Sequence, residues 1–110
     1  MTVQQEDLSK YVFGSNHMLA VMVEIGRSPN GEFSTPQIAS ATGLPMSTTH
    51  SLITRLKRAG LVRRTGEVTP DRVALYERRS HSVWRTAQDI DSEAEALRAG
   101  TLTDLWEERS

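Results

Sequence analysis

Between Ser34 and Arg64 the chain spells two helical segments, each closed by a glycine, and then changes period; few folds accommodate that order. The first segment, F-S-T-P-Q-I-A-S-A-T-G, opens with two candidate caps, Ser34 and Thr35. A proline follows at or next to the first helical position, and Gln37 stands three residues after Ser34, the signature of a capping box. Its short apolar face is Ile38 and Ala41, and Gly43 ends it. Leu44 and Pro45 leave room only for a tight connection to a second helix, Met46 to Ala59, whose inward stripe is Thr49, Leu52, Ile53 and Leu56. Lys57 and Arg58 occupy its last turn, where cations suit the negative end of the helix dipole, and Gly60 stands at the stop. Leu61 to Arg64 is then short and β-compatible, the turn-rich T-G-E-V-T-P-D follows, and Arg72 to Glu77 carries Val73, Leu75 and Tyr76. This predicts two antiparallel strands joined by a loop of about seven residues.

The flanks are helical. Residues 1 to 15 form an N-terminal arm or short helix, with Leu8, Val12 and Phe13 as one or two amphipathic turns before Gly14. From Asn16 the apolar density of Met18, Leu19, Val21, Met22, Val23 and Ile25 predicts a mostly buried helix, capped by Ser15 or Asn16. The stretch G-R-S-P-N-G-E, residues 26 to 32, is expected to stop that helix and turn the chain. The helical period returns near Ser82, where Val83, Ala87, Ile90, Ala94 and Leu97 form a heptad seam that Gly100 ends. Such a seam suits dimerisation through a second copy of the helix, and its plainer alternative is docking on the N-terminal helices of the same chain. A final segment carries Leu102, Leu105 and Trp106. The expected plan is an arm over 1 to 15, a central domain over 16 to 79, and a dimerising C-terminal helix over 80 to 110.

Composition narrows the function. A chain of 110 residues is one domain by size, and 37% hydrophobic residues make a lean core that leaves apolar surface for a partner chain. The absence of cysteine excludes disulfides, a thiolate zinc site and a cysteine nucleophile. The richest apolar stretch, Met18 to Ile25, contains Glu24, so no membrane-spanning helix is expected, and M-T-V-Q-Q-E-D lacks the basic-then-apolar pattern of a signal peptide. A cytoplasmic location is the expectation. The net charge of −1 conceals a strong polarity: residues 55 to 85 hold nine basic and three acidic side chains, whereas residues 86 to 110 hold two basic and seven acidic ones. A middle segment so charged suits a polyanion.

A short helix, a tight glycine turn and a longer helix follow the helix-turn-helix plan, in which the second helix enters the major groove. Outside the inward stripe, that helix offers Met46, Ser47, Thr48, His50, Ser51, Thr54 and Arg55. Hydroxyls and an imidazole can donate to or accept from base edges, and arginine can reach guanine or phosphate. Free N–H groups in the first turn, after Pro45, also favour phosphate.

The string T-G-L-P-M-S-T-T-H-S-L-I-T-R-L-K-R-A-G-L-V-R-R, residues 42 to 64, resembles the winged helix-turn-helix of bacterial transcription regulators. It is most similar to the IclR type, with the MarR type a near relative. The resemblance spans about residues 16 to 77. It implies a winged helix-turn-helix that binds DNA; with the C-terminal seam, the expectation is an α+β, mainly helical protein with a two-stranded wing and an additional C-terminal helix, binding double-stranded DNA as a homodimer, as a repressor that occludes a promoter. It implies that residues 35 to 41 form the positioning helix, with Thr35 and Gln37 at the DNA. Pro45 to Ala59 is then the recognition helix, with Met46, Ser47, Thr48, His50 and Ser51 at bases. Arg55, with Arg64 and Arg72 of the wing, falls at phosphates. The chain departs from the pattern at Thr49, where valine is usual, and at Ser51, where arginine is common. The large effector domain of IclR regulators has no counterpart in these residues, so their small-molecule sensing is not carried over.

Other chemistry is weakly represented. His17 and His81 lack partners at metal-ligand spacing. The run D-I-D-S-E-A-E, residues 89 to 95, superficially resembles a calcium loop, but Ala94 stands where such loops require glycine, and it reads as a solvated helix face. No nucleophile elbow or phosphate-binding glycine loop is present, so neither enzyme activity nor a cofactor or metal is expected. Two rival readings remain: a plasmid or phage partition or replication adaptor using the same fold on DNA, and a winged helix whose basic ribbon grips an acidic protein.

Overall fold

A computed structural model describes residues 5–103 and 106. Its helices are α1 (Gln5–Phe13), α2 (Met18–Arg27), α3 (Thr35–Thr42), α4 (Met46–Arg58) and α5 (Val83–Ala99). Its strands are β1 (Glu32–Phe33), β2 (Val62–Val68) and β3 (Ala74–Arg78), in the order β1-β3-β2, all antiparallel. This is an α+β, mainly helical winged helix, as expected. No helix among the described residues is long and apolar enough to cross a membrane.

The core forms where α2, α4 and the sheet meet. Leu19, Val21, Met22 and Ile25 of α2, Ile38 of α3, and Leu52, Ile53 and Leu56 of α4 close on Phe33, Val62 and Tyr76. The rings of Phe33 and Tyr76 stack across β1 and β3 with centroids 5.7 Å apart. β1 went unforeseen, and it adds a third strand to the expected hairpin. It pairs Glu32 with Glu77 and Phe33 with Tyr76.

Several boundaries differ for local physical reasons. The N-terminal half of α2 is capped by neither Ser15 nor Asn16. The buried hydroxyl of Ser9, on α1, accepts from the Leu19 N–H at 2.9 Å and donates to the Ser15 carbonyl. Gly26 does not stop α2, which continues to Arg27. A side chain there would stand 3.3 Å from Gln88 Nε2 and 3.5 Å from Trp84 Cβ, so glycine lets α5 approach α2 closely. On α3 the alanine buried with Ile38 is Ala39, and Ala41 is exposed. β2 runs to Val68 rather than Arg64, with an irregular register between those residues, and the connecting loop is correspondingly shorter than expected.

The α5 seam is covered within the protomer. Ala87 and Ala94 are buried, Val83 and Ile90 are half-buried beside the core, and Leu97 is half-buried. Trp84, unforeseen as a core residue, is buried as well, with its indole N–H donating to the Arg79 carbonyl at 2.8 Å. Ala87 and Ala94 are therefore corrected from dimer contacts to internal packing. The heptad spacing identified the shared face correctly, and α2 and α1 of the same chain cover it. Leu102 is buried, Trp106 is exposed, and Leu105 lies outside the described residues.

Candidate nucleic-acid interface

Two capped helices position the interface. The Ser34 hydroxyl accepts from the Gln37 N–H at 3.3 Å, which closes the first half of the expected capping box. The Gln37 side chain does not reach back. Its amide donates to the Ser28 hydroxyl at 3.4 Å and so ties α3 to the end of α2. Gly43 and Gly60 both adopt φ of 73°, a conformation that side chains disfavour. At Gly60 the Leu61 N–H bonds the Leu56 carbonyl and the Gly60 N–H bonds that of Lys57, the paired bonds of a Schellman stop.

α4 presents an open polar face. Thr49, Leu52, Ile53 and Leu56 are buried, while Pro45, Met46, Ser47, His50, Ser51 and Arg55 are exposed, and Thr48 and Thr54 are half-buried. The inner hydroxyl of Thr49 is satisfied by the Pro45 carbonyl at 3.0 Å, which explains how a threonine stands where valine is usual. The helix is thus anchored by its apolar stripe and bare on the opposite side.

The wing stands beside it. Val62 and Tyr76 are buried, and Arg64 lies directly across from Tyr76 in the ladder, so alternation along the strand puts Arg64 on the face that joins the α4 core. Arg63 is on the other face, paired with Glu77 at 2.6 Å. Arg72, in the loop between the strands, has φ of 62° and is exposed; its N–H bonds the Thr69 carbonyl at 2.8 Å.

Two expected contacts are placed differently. Thr35 is only 8% exposed, and its side chain belongs to the fold rather than to the open face. Arg55 points along the flank of α4, with Nη2 donating to the Phe13 carbonyl at the end of α1, at 3.4 Å. Of the nine basic residues between 55 and 85, Arg78 and Arg79 also bond backbone carbonyls, the former at Ile25 and Ser28 and the latter at Gly60. Lys57, Arg58, Arg64, Arg72 and Arg85 make no side-chain bond among the described residues. His81 serves the fold: its Nδ1 accepts from the Val83 N–H at the start of α5. No cluster of metal-binding side chains occurs among the described residues.

Residues 19–72 match the sequence model of the MarR family, described as MarR_2. The middle of this chain is a winged helix-turn-helix. The match falls on the MarR type, which the sequence resemblance placed second to the IclR type. A solved structure described as the crystal structure of a probable transcriptional regulator from Pseudomonas aeruginosa is similar with a TM-score of 0.60. It is 21% identical, with 89% of this chain and 75% of that chain covered, a likeness of fold. No curated protein matches the chain.

Proposed function

We propose that this MarR-like protein is a sequence-specific binder of double-stranded DNA that regulates transcription, with α4 in the major groove and the wing at the backbone or minor groove. The observation that carries the reading is the bare outer face of α4, where Ser47, His50 and Ser51 are exposed, together with the exposed Arg64 and Arg72 of the wing. Thr54 lies on that face, Pro45, Met46 and Thr48 border it, and Gln37 faces solvent on the preceding helix. Ser47, His50 and Ser51 read base edges, and Arg64 and Arg72 hold phosphates. The protein acts by binding rather than by catalysis, needs no cofactor, and works in the cytoplasm, where it represses by occupying a promoter.

Within this reading it binds as a homodimer, with two copies of α4 about 34 to 36 Å apart on a pseudo-palindrome. On α1, Tyr11 and Val12 offer apolar side chains to the second copy, 76% and 55% exposed. Selection of bound sequences from random duplexes, with mass measurement of the complex, tests the proposal. It predicts an enriched palindrome and two chains per duplex. Recovery of no preferred sequence, with co-purification of an acidic protein, contradicts it and favours the interaction-module reading.

A further inference from the structure

The exposed stripe of α4 does not end with the residues that reach bases. Ser47, Ser51 and Thr54 are spaced four and three residues apart, and Arg58 follows after four more, so all four share one line along the helix. That line runs opposite the buried stripe of Thr49, Leu52, Ile53 and Leu56. Arg58 is exposed and makes no side-chain bond among the described residues. Lys57, likewise exposed and unbonded, lies seven residues after His50, on the flank that borders Val62 and Arg63 at the base of the wing.

Distance decides what these cations meet. Eleven residues separate Ser47 from Arg58, about 16 Å along a helix at 1.5 Å per residue, against a major groove about 12 Å wide. When the serine end of the stripe is among the bases, the arginine end has passed the groove edge and stands at a sugar-phosphate backbone. A guanidinium there meets a phosphate in bidentate geometry, which a base edge beyond the groove cannot offer.

We infer that Arg58, with Lys57 beside it, is a phosphate clamp at the far end of the recognition face and fixes the register in which Ser47, His50 and Ser51 meet the bases. The inference rests on the DNA-binding reading above. The plainer role for both cations is to complement the dipole at the end of α4, which would affect the stability of the helix and not the ionic character of a complex.

Duplex affinity measured against salt for the wild type, Arg58→Gln, Arg58→Lys and Arg85→Gln separates the two roles. Arg85 is an exposed and unbonded arginine on α5 that serves as the control. Loss of one phosphate contact lowers the slope of log affinity against log salt by about 0.9 per protomer, about 1.8 for the homodimer, so a fourfold rise in salt costs Arg58→Gln about twelvefold less affinity than it costs the wild type. Arg58→Lys keeps the wild-type slope, Arg85→Gln leaves it unchanged, and circular dichroism shows the same helix content throughout. A steep wild-type slope that Arg58→Gln leaves intact overturns the clamp while the DNA-binding reading stands. A wild type that binds no duplex at low salt overturns both.

Discussion

Thr49 is fully buried on α4, yet its hydroxyl has a local partner in the Pro45 carbonyl, which the Thr49 N–H also reaches at 3.0 Å. Thr49→Val therefore strands no buried acceptor. Its stability by urea unfolding should stay within about 1 kcal/mol of the wild type. Ser9 is the opposite case. Its hydroxyl is the acceptor of the Leu19 N–H, so Ser9→Ala leaves a buried donor unpaired and should cost about 1–3 kcal/mol in the same measurement. Arg72 holds a left-handed conformation that glycine adopts without strain. Arg72→Gly should keep or raise the melting temperature while weakening specific and random duplexes alike, because a phosphate contact carries no sequence information. His50→Ala, by contrast, should lose about 1–3 kcal/mol of discrimination on the selected site and little on random DNA.

Among the elements, the helix-turn-helix was the most legible because its signals are local. A serine cap, a proline in the first turn and glycines at the stops act on the residues around them, and α3 and α4 appear where those signals fall. β1 has two residues and therefore no period to read; it forms because β3 has an unpaired edge more than forty positions away in sequence. Arg55 was illegible for the same reason, since its partner at Phe13 is 42 residues distant. The α5 seam shows the limit of periodicity in a third way. Spacing tells which side chains share a face, and packing decides which surface covers that face. Gly60→Ala tests the element scale: a Cβ at φ of 73° should cost about 1–2 kcal/mol and raise fraying of the last turn of α4, seen as faster amide exchange there.

For the whole molecule, charge and packing divide the labour. The basic middle segment supplies the wing and the end of α4, whereas α5 carries Asp89, Asp91, Glu93 and Glu95, a polarity that would orient the molecule toward the DNA of the proposed function. Because Ala87 is fully buried against the same chain, Ala87→Leu should overpack the protomer. It should cost about 1–3 kcal/mol, with a drop in melting temperature that is the same at low and high protein concentration. A seam shared between two chains would instead give a concentration-dependent shift. The central claim is that the outer face of α4 and the wing form the surface that meets DNA. Backbone amide shifts recorded while the selected duplex is added test it most directly. The account predicts changes concentrated at Ser47, His50, Ser51, Thr54 and Arg58 and at Arg64 and Arg72, with α5 quiet; changes confined to α1 and α5 would contradict it.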